Sequence, residues 1–288
     1  MKTLVIGIET DDPDAPFGVP GLVHLPQFRN EGIRGVLVPG PEMTLGFPWQ
    51  SFVAGRVVAA SGHAPGGGSP GPMLWHALDE GNTRIDPILI GLAADRVTGP
   101  GSDHPDDRDR NGDRSRSGRA IEPDAQIART RSRFGSLRRC MATSPWNLAM
   151  LIDAIPAPPA IRTGQDRVAA RWLALDQELG ETLDQLVAQE IDLSVLLVVL
   201  RDADPEGGTK LDPSPPGNFS LTSTKGLPPG ELRGASLIDL TPALVALAGR
   251  ATPGEWLGRP LTIDQLPPDA SEDQEAVFDR LRGLGYLA

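Results

Sequence analysis

The chain has 288 residues, 39% of them hydrophobic, which is enough to bury the core of one large α/β domain. Its formal net charge of -11 disfavours binding to nucleic acid or to an anionic membrane surface, because both would repel it. The single cysteine, Cys140, excludes an intrachain disulfide and a thiolate zinc site.

Short apolar strands and short helices alternate in the first third of the chain. Residues 3–8 form a continuous apolar run that is typical of a buried parallel strand. The run is too short for a signal peptide, and no stretch of about 18 apolar residues could span a bilayer, so we expect a cytoplasmic protein. The patterns that follow predict helices over 25–32, 51–60 and 74–81 and strands over 35–38 and 88–92.

The remainder of the chain continues this alternation after a polar interruption. Residues 99–119 have no hydrophobic period, and we interpret them as a solvated, disordered insertion. Strands are predicted over 146–152 and 195–200, and helices over 164–190, 239–249 and 272–282. The apolar face of the helix over 164–190 comprises Val168, Trp172, Leu175, Leu179, Leu183, Leu186 and Val187. In the helix over 239–249, Thr241 can cap the N-terminus. We predict one α/β domain over residues 1–288.

Several segments resemble the alkaline phosphatase superfamily, and most closely its type I phosphodiesterase/nucleotide pyrophosphatase-like branch. The resemblance lies, in order, in residues 1–10, 47–55, 74–78, 236–261 and 280–287. It implies a twisted, mostly parallel sheet sandwiched by helices, reduced in size because this chain is shorter than the usual member. It also implies two divalent cations, usually zinc, at the carboxyl ends of the strands and a Thr or Ser that attacks phosphorus.

The resemblance assigns positions to this machinery, and most of them hold unsuitable residues. The first-strand aspartate falls on Glu9, which retains a carboxylate. The nucleophile falls on Leu45, with Thr44 one residue out of register. An Asp and a His expected after the strand over 146–152 fall on Ala157 and Ile161.

Histidine is the missing ligand type. The four histidines are His24, His63, His76 and His104, so no imidazole follows position 104. The Asp-His-Gly of the family corresponds here to Asp202-Ala203-Asp204, and residues 209–216 offer no last histidine. Glu9, Asp202 and Asp204 could together hold one magnesium or manganese ion with water. The alternative is that these acids face solvent or cap helices at strand ends.

Three other patterns carry weaker signals. Residues 67–71 fit G-x-S-x-G but lack the strand and helix that a nucleophile elbow needs, so we treat the match as accidental. Residues 107–113 resemble the start of a calcium loop, whose twelfth position is Gly118 and not an acid. A basic stretch could dock an acidic partner or the chain's own acidic insertion, or it could form a solvated face. It comprises Arg129, Arg131, Arg133, Arg138 and Arg139.

The sequence therefore predicts a catalytically inactive relative of these hydrolases that acts as a binding or assembly module for a protein partner, without a cofactor. The alternative is a weak metal-dependent phosphoesterase in which Thr44 or a water attacks beside one divalent cation on Glu9, Asp202 and Asp204. A third possibility is a regulatory subunit that pairs with an intact paralogue.

Overall fold

The structure is a computed structural model of the chain. It describes residues 1–40, 48–58, 71–79, 84–92, 123–155, 165–201, 216–225, 227–259 and 261. The predicted insertion over 99–119 and the predicted helix over 272–282 lie outside these residues.

A seven-stranded mixed sheet forms the centre of the fold. The strands are β1 (Lys2–Thr10), β2 (Ile33–Val36), β3 (Ile88–Ile90), β4 (Leu148–Ile155), β5 (Leu193–Arg201), β6 (Gly217–Ser223) and β7 (Gly230–Leu232). Their order across the sheet is β3-β4-β1-β5-β6-β2-β7. All the pairs are parallel except the two that β6 makes, with β5 and with β2. β1, β4 and β5 are buried on both faces, which explains their continuous apolar sequences.

Helices cover both faces of the sheet. They are α1 (Ala15–Gly18), α2 (His24–Asn30), α3 (Pro48–Ala54), α4 (Leu74–Leu78), α5 (Pro123–Thr143), α6 (Gln165–Val187) and α7 (Leu240–Leu247). Residues of α3, α4 and α7 share one hydrophobic cluster with one face of the sheet. Residues of α2, α5 and α6 share a second cluster with the other face. This arrangement confirms the predicted fold class, a mostly parallel sheet between helices.

The helix over 164–190 is confirmed as α6, with one error in its predicted apolar face. Trp172, Leu175 and Leu179 are buried against the sheet. Val187, which the periodicity assigned to the same face, is 66% exposed, whereas the preceding Leu186 is 1% exposed and completes the buried face in the last turn.

Helix α5 was not predicted. Its buried side chains Phe134, Leu137 and Met141 recur at helical spacing, but arginine and serine residues separate them. The surrounding polarity therefore concealed an amphipathic helix that packs on α6 and β4.

Asp239 joins the start of α7 to the segment after that helix. Its carboxylate accepts hydrogen bonds from the Ser236 backbone N–H (2.9 Å) and the Arg259 backbone N–H (2.6 Å). Burial opposes ionisation of Asp239, but the hydrogen bonds from Arg259 and Ser236 outweigh it and hold the pKa of Asp239 below its usual value. The predicted cap, Thr241, is instead buried and donates through Oγ1 to the Phe52 carbonyl (2.6 Å).

Within the described residues, no helix has both the length and the apolar character needed to cross a membrane.

Candidate functional site

Three central strands end at one edge of the sheet. β1 lies between β4 and β5, and the parallel register sets Thr10 beside Ile155 on one side and beside Arg201 on the other. In open α/β sheets, ligand sites lie outside the carboxyl ends of such strands. This edge is therefore the candidate functional site, and Glu9 lies on it.

Trp49 holds the Glu9 carboxylate. The indole Nε1 of Trp49, in α3, donates a hydrogen bond to Glu9 Oε1 at 2.9 Å. Trp49 is buried over β1 next to Gly7, where a Cβ added to the glycine would lie 2.5 Å from the indole carbon Cη2. Gly7 thus provides the space that brings the indole within reach of Glu9. Glu9 was predicted from the sequence but Trp49 was not, although both lie in segments that carry the resemblance.

The structure places one of the four predicted site residues. Glu9 is half-buried at the carboxyl end of β1. Thr44, Asp202 and Asp204 lie outside the described residues, and so does Leu45. Their roles therefore stay predictions. Strand β5, which lies beside β1, ends at Arg201, and Asp202 is the next residue in the sequence.

Neither described histidine lies with Glu9. His24 begins α2, and its Nε2 occupies the space beside Gly180 of α6, on the opposite face of the sheet from Trp49. His76, in α4, has Nδ1 3.2 Å from the Met73 backbone nitrogen and Nε2 3.1 Å from the Trp75 indole nitrogen. A neutral imidazole has one acceptor nitrogen, so it accepts a hydrogen bond from one of these N–H groups at a time. Burial, followed by the nearby Arg84 charge, lowers the pKa of His76 against the opposing effect of Asp79.

Among the residues that the structure describes, the donor set does not fit a two-zinc centre. Such a centre is held by several carboxylates and imidazoles. In the parts of the chain that the structure describes, no group of three or more His, Cys, Asp or Glu side chains is arranged to hold a metal ion. Of the carboxylates assigned by resemblance, Glu9 already uses one oxygen to accept from an indole.

A second carboxylate near the same edge was not found from the sequence. Asp153 of β4 is buried and accepts hydrogen bonds from the Thr130 hydroxyl and the Arg133 guanidinium of α5. Beside it, Arg171 Nη2 of α6 donates to the Ala154 carbonyl at 3.0 Å. Burial lowers the pKa of Arg171, and the Asp153 charge opposes this shift. An acid inside an apolar strand was the available signal, but the predicted strand ended at residue 152.

Part of the basic stretch in α5 is used within the chain. Arg133 pairs with Asp153, and Arg138 Nη2 lies 2.8 Å from Glu178 Oε2 of α6. Both arginines are largely buried, with side chains 12% and 17% exposed. The prediction of a solvated or partner-docking face is therefore wrong for these two residues, which attach α5 to the sheet and to α6.

Comparison with solved structures identifies the class of fold. A phosphonate monoester hydrolase from Silicibacter pomeroyi is similar over 93% of this chain and 78% of its own, with 16% identity and a TM-score of 0.54. The lipoteichoic acid synthase LtaP from Listeria monocytogenes is similar over 90% of this chain and 74% of its own, with 16% identity and a TM-score of 0.51. A protein from Bacteroides thetaiotaomicron assigned to the sulfatases gives 12% identity, coverages of 92% and 74%, and a TM-score of 0.57.

These neighbours have the alkaline-phosphatase-like α/β fold, and the chain has it too, as the resemblance predicted. No protein-family model matches the sequence, and no curated protein matches it. At these identities the likeness shows the fold alone, and the activity depends on which residues stand at the strand ends.

Proposed function

We propose that this protein is a catalytically inactive, cytoplasmic member of the alkaline-phosphatase-like fold that acts as a binding or assembly module for a protein partner. One observation carries the proposal: no histidine follows His104, so the segments that come after β4 and β5 in the sequence contain no imidazole, a ligand type that two-zinc centres use. A carboxylate-only set of two or three side chains would leave such a centre short of ligands.

The environment of Glu9 supports the same proposal. The Glu9 Oε1 atom accepts a hydrogen bond from Trp49 at 2.9 Å, so at most Oε2 could face a cation, and Glu9 could not bind one through both oxygens. The indole is buried and packs against Gly7, so breaking this bond would also disturb the packing of α3 on the sheet. The pair joins α3 to the sheet at the position that the resemblance assigns to a metal ligand.

Metal analysis and a phosphoesterase assay on the purified chain test the proposal. We expect less than stoichiometric zinc after expression in zinc-supplemented medium, and no turnover of p-nitrophenyl phosphate or bis-p-nitrophenyl phosphate with added zinc, magnesium or manganese. Metal-dependent hydrolysis that is lost in Glu9→Ala and in Asp202→Ala would overturn it. Lys225→Ala, which removes an exposed charge 3.4 Å from Asp192, is the control for non-specific effects of substitution.

A weak single-cation phosphoesterase is the second candidate, and the strand register favours it. Glu9 pairs with Leu200, and Asp202 follows shortly afterwards in the sequence of the neighbouring parallel strand. Magnesium and manganese accept all-oxygen ligand sets completed by water. Calorimetric titration with manganese distinguishes the two candidates: one tight site that is lost in Asp202→Ala supports the enzyme, and no saturable site supports the binding module.

A further inference from the structure

A small cavity lies near the carboxyl end of β2, between two helices and the mixed half of the sheet, on the face of the sheet opposite Trp49. Its volume is about 130 Å³, and its lining includes Phe17, Arg29, Arg34, Asn218, Ser220 and Glu231. We call it the arginine pocket. The register sets Arg34 of β2 beside Ser220 of β6 and beside Glu231 of β7, so these three side chains share one face of the sheet. Helices α1 and α2 supply Phe17 and Arg29.

The two arginines in the pocket are not neutralised by the described part of the chain. Arg29 stacks on Phe17, with its Cζ 4.4 Å from the ring centroid. Arg34 Nη1 makes one long hydrogen bond to the Arg29 carbonyl, at 3.5 Å. Among the described residues, neither guanidinium forms an ion pair with a carboxylate. Arg29 is exposed and Arg34 is half-buried, so both guanidiniums can be reached by a ligand at the cavity.

The acid that lines the pocket is partly compensated. Glu231 Oε1 accepts from Arg233 Nε at 3.0 Å, and both side chains are exposed at the rim. Since exposed charges are screened by water and salt, Glu231 weakens the positive field of the pocket without cancelling it.

Asn218, which lines the pocket on the strand beside Arg34, is held in place. Asn218 Nδ2 donates to the Pro13 carbonyl at 3.2 Å and to Asp14 Oδ1 at 3.0 Å, and these bonds attach the start of β6 to the turn before α1. The Asp14 backbone N–H in turn donates to Asp12 Oδ1 at 3.0 Å. A ligand would therefore meet one polar side chain of the pocket that is already positioned before binding, which reduces the entropy cost of association.

We propose that the arginine pocket binds a small oxyanion, a phosphate or carboxylate group, between the guanidiniums of Arg29 and Arg34. A guanidinium offers paired N–H donors that match both kinds of group. The ring of Phe17 supplies an apolar side against which the remainder of a small metabolite could pack. This inference does not depend on the proposed function, because the residues that line the pocket are separate from the strand-end site.

Calorimetric titration of the full chain at fixed ionic strength tests the inference, with inorganic phosphate in one series and succinate in the other. We expect saturable one-site binding of at least one anion, and the series that binds more tightly identifies the group. Arg29→Gln and Arg34→Gln should each weaken binding about tenfold or more, since each removes charge-assisted hydrogen bonds.

Two further variants separate a site from a general effect of charge or of misfolding. Arg139→Gln changes the net charge equally, but its exposed side chain lies in α5, where Nη2 bonds Ser136 Oγ at 2.9 Å, and affinity should be unchanged. Glu231→Gln removes the acid at the rim and should tighten binding, a gain that a folding defect cannot produce. The absence of saturable binding, or equal weakening in Arg139→Gln, would overturn the inference.

Discussion

Glu9 and Asp153 lie on neighbouring strands near the same edge of the sheet, and their surroundings differ in kind. The register pairs Ile8 with Asp153 and Glu9 with Ala154, so the two carboxylates point to opposite faces. Glu9 is half-buried and meets a neutral indole N–H, whereas Asp153 is buried and meets the Arg133 guanidinium. On one face of this edge, a buried ion pair between Asp153 and Arg133 stabilises the fold. On the other face, the Glu9 carboxylate is held by a neutral donor.

The buried ion pair gives the largest expected effect. Asp153→Ala leaves the Arg133 guanidinium without its carboxylate, and removing one partner of a buried pair costs about 3–5 kcal/mol. We expect this loss in the free energy of unfolding measured by urea titration. Asp192→Ala, which removes an exposed partner of Lys225, should cost about 0–1 kcal/mol. Equal losses in the two variants would mean that the Asp153 pair contributes no more than a surface pair.

A double substitution tests whether the ion pair between Asp153 and Arg133 can be replaced by apolar side chains without loss of stability. Asp153→Leu combined with Arg133→Met removes both charges together, and replacing a buried ion pair with apolar residues is often neutral. We expect the double variant to recover most of the stability lost in Asp153→Ala. If the double variant is as unstable as the single one, the stability lost in Asp153→Ala comes mainly from the contacts of Asp153 with Thr130 or Arg171, and not from its pair with Arg133.

The Glu9 side depends on close packing of Trp49 over β1, and a glycine substitution should break it. In Gly7→Ala the added Cβ would lie 2.5 Å from Trp49 Cη2, and overpacking of this kind costs about 1–3 kcal/mol. Gly135→Ala in α5 is the matched control, because nothing lies within 4 Å of its added Cβ, and it should stabilise the chain by about 0.5–1 kcal/mol. Thermal and urea unfolding measure the stability of both variants. The steric argument would be refuted if Gly7→Ala and Gly135→Ala changed the free energy of unfolding in the same direction.

The contrast between the two sides also marks what could be read from the sequence. The apolar runs predicted β1, β4 and β5, and the resemblance placed Glu9 at a strand end, because these signals are local in the chain. The partners could not be read in this way: Trp49 is 40 residues from Glu9, and Arg133 is 20 residues from Asp153. Their pairing depends on which face each helix covers, and sequence patterns do not encode that choice.

The same reason explains the elements that were not predicted. Strand β7 has only three residues, and β6 runs antiparallel to both of its neighbours, so neither shows the continuous apolar run of a central parallel strand. In helix α5, arginines stand between the apolar side chains, and two of them pair with acids of β4 and α6. Charges that are neutralised only in the folded chain looked like a solvated surface in the sequence.

The hydrogen bond between Trp49 and Glu9 gives the smallest effect and the sharpest test of the comparison. Trp49→Phe keeps an aromatic ring in α3 but removes the N–H donor, which should cost about 0.5–1.5 kcal/mol. Because the ring also becomes smaller, the single variant mixes two effects, and a double-mutant cycle with Glu9→Met isolates the pair. We expect a coupling energy of about 0.5–1.5 kcal/mol in the cycle, since each single variant removes the same bond. If the two losses are additive, Glu9 is not held by the indole, and its carboxylate would have to be reconsidered as a cation ligand.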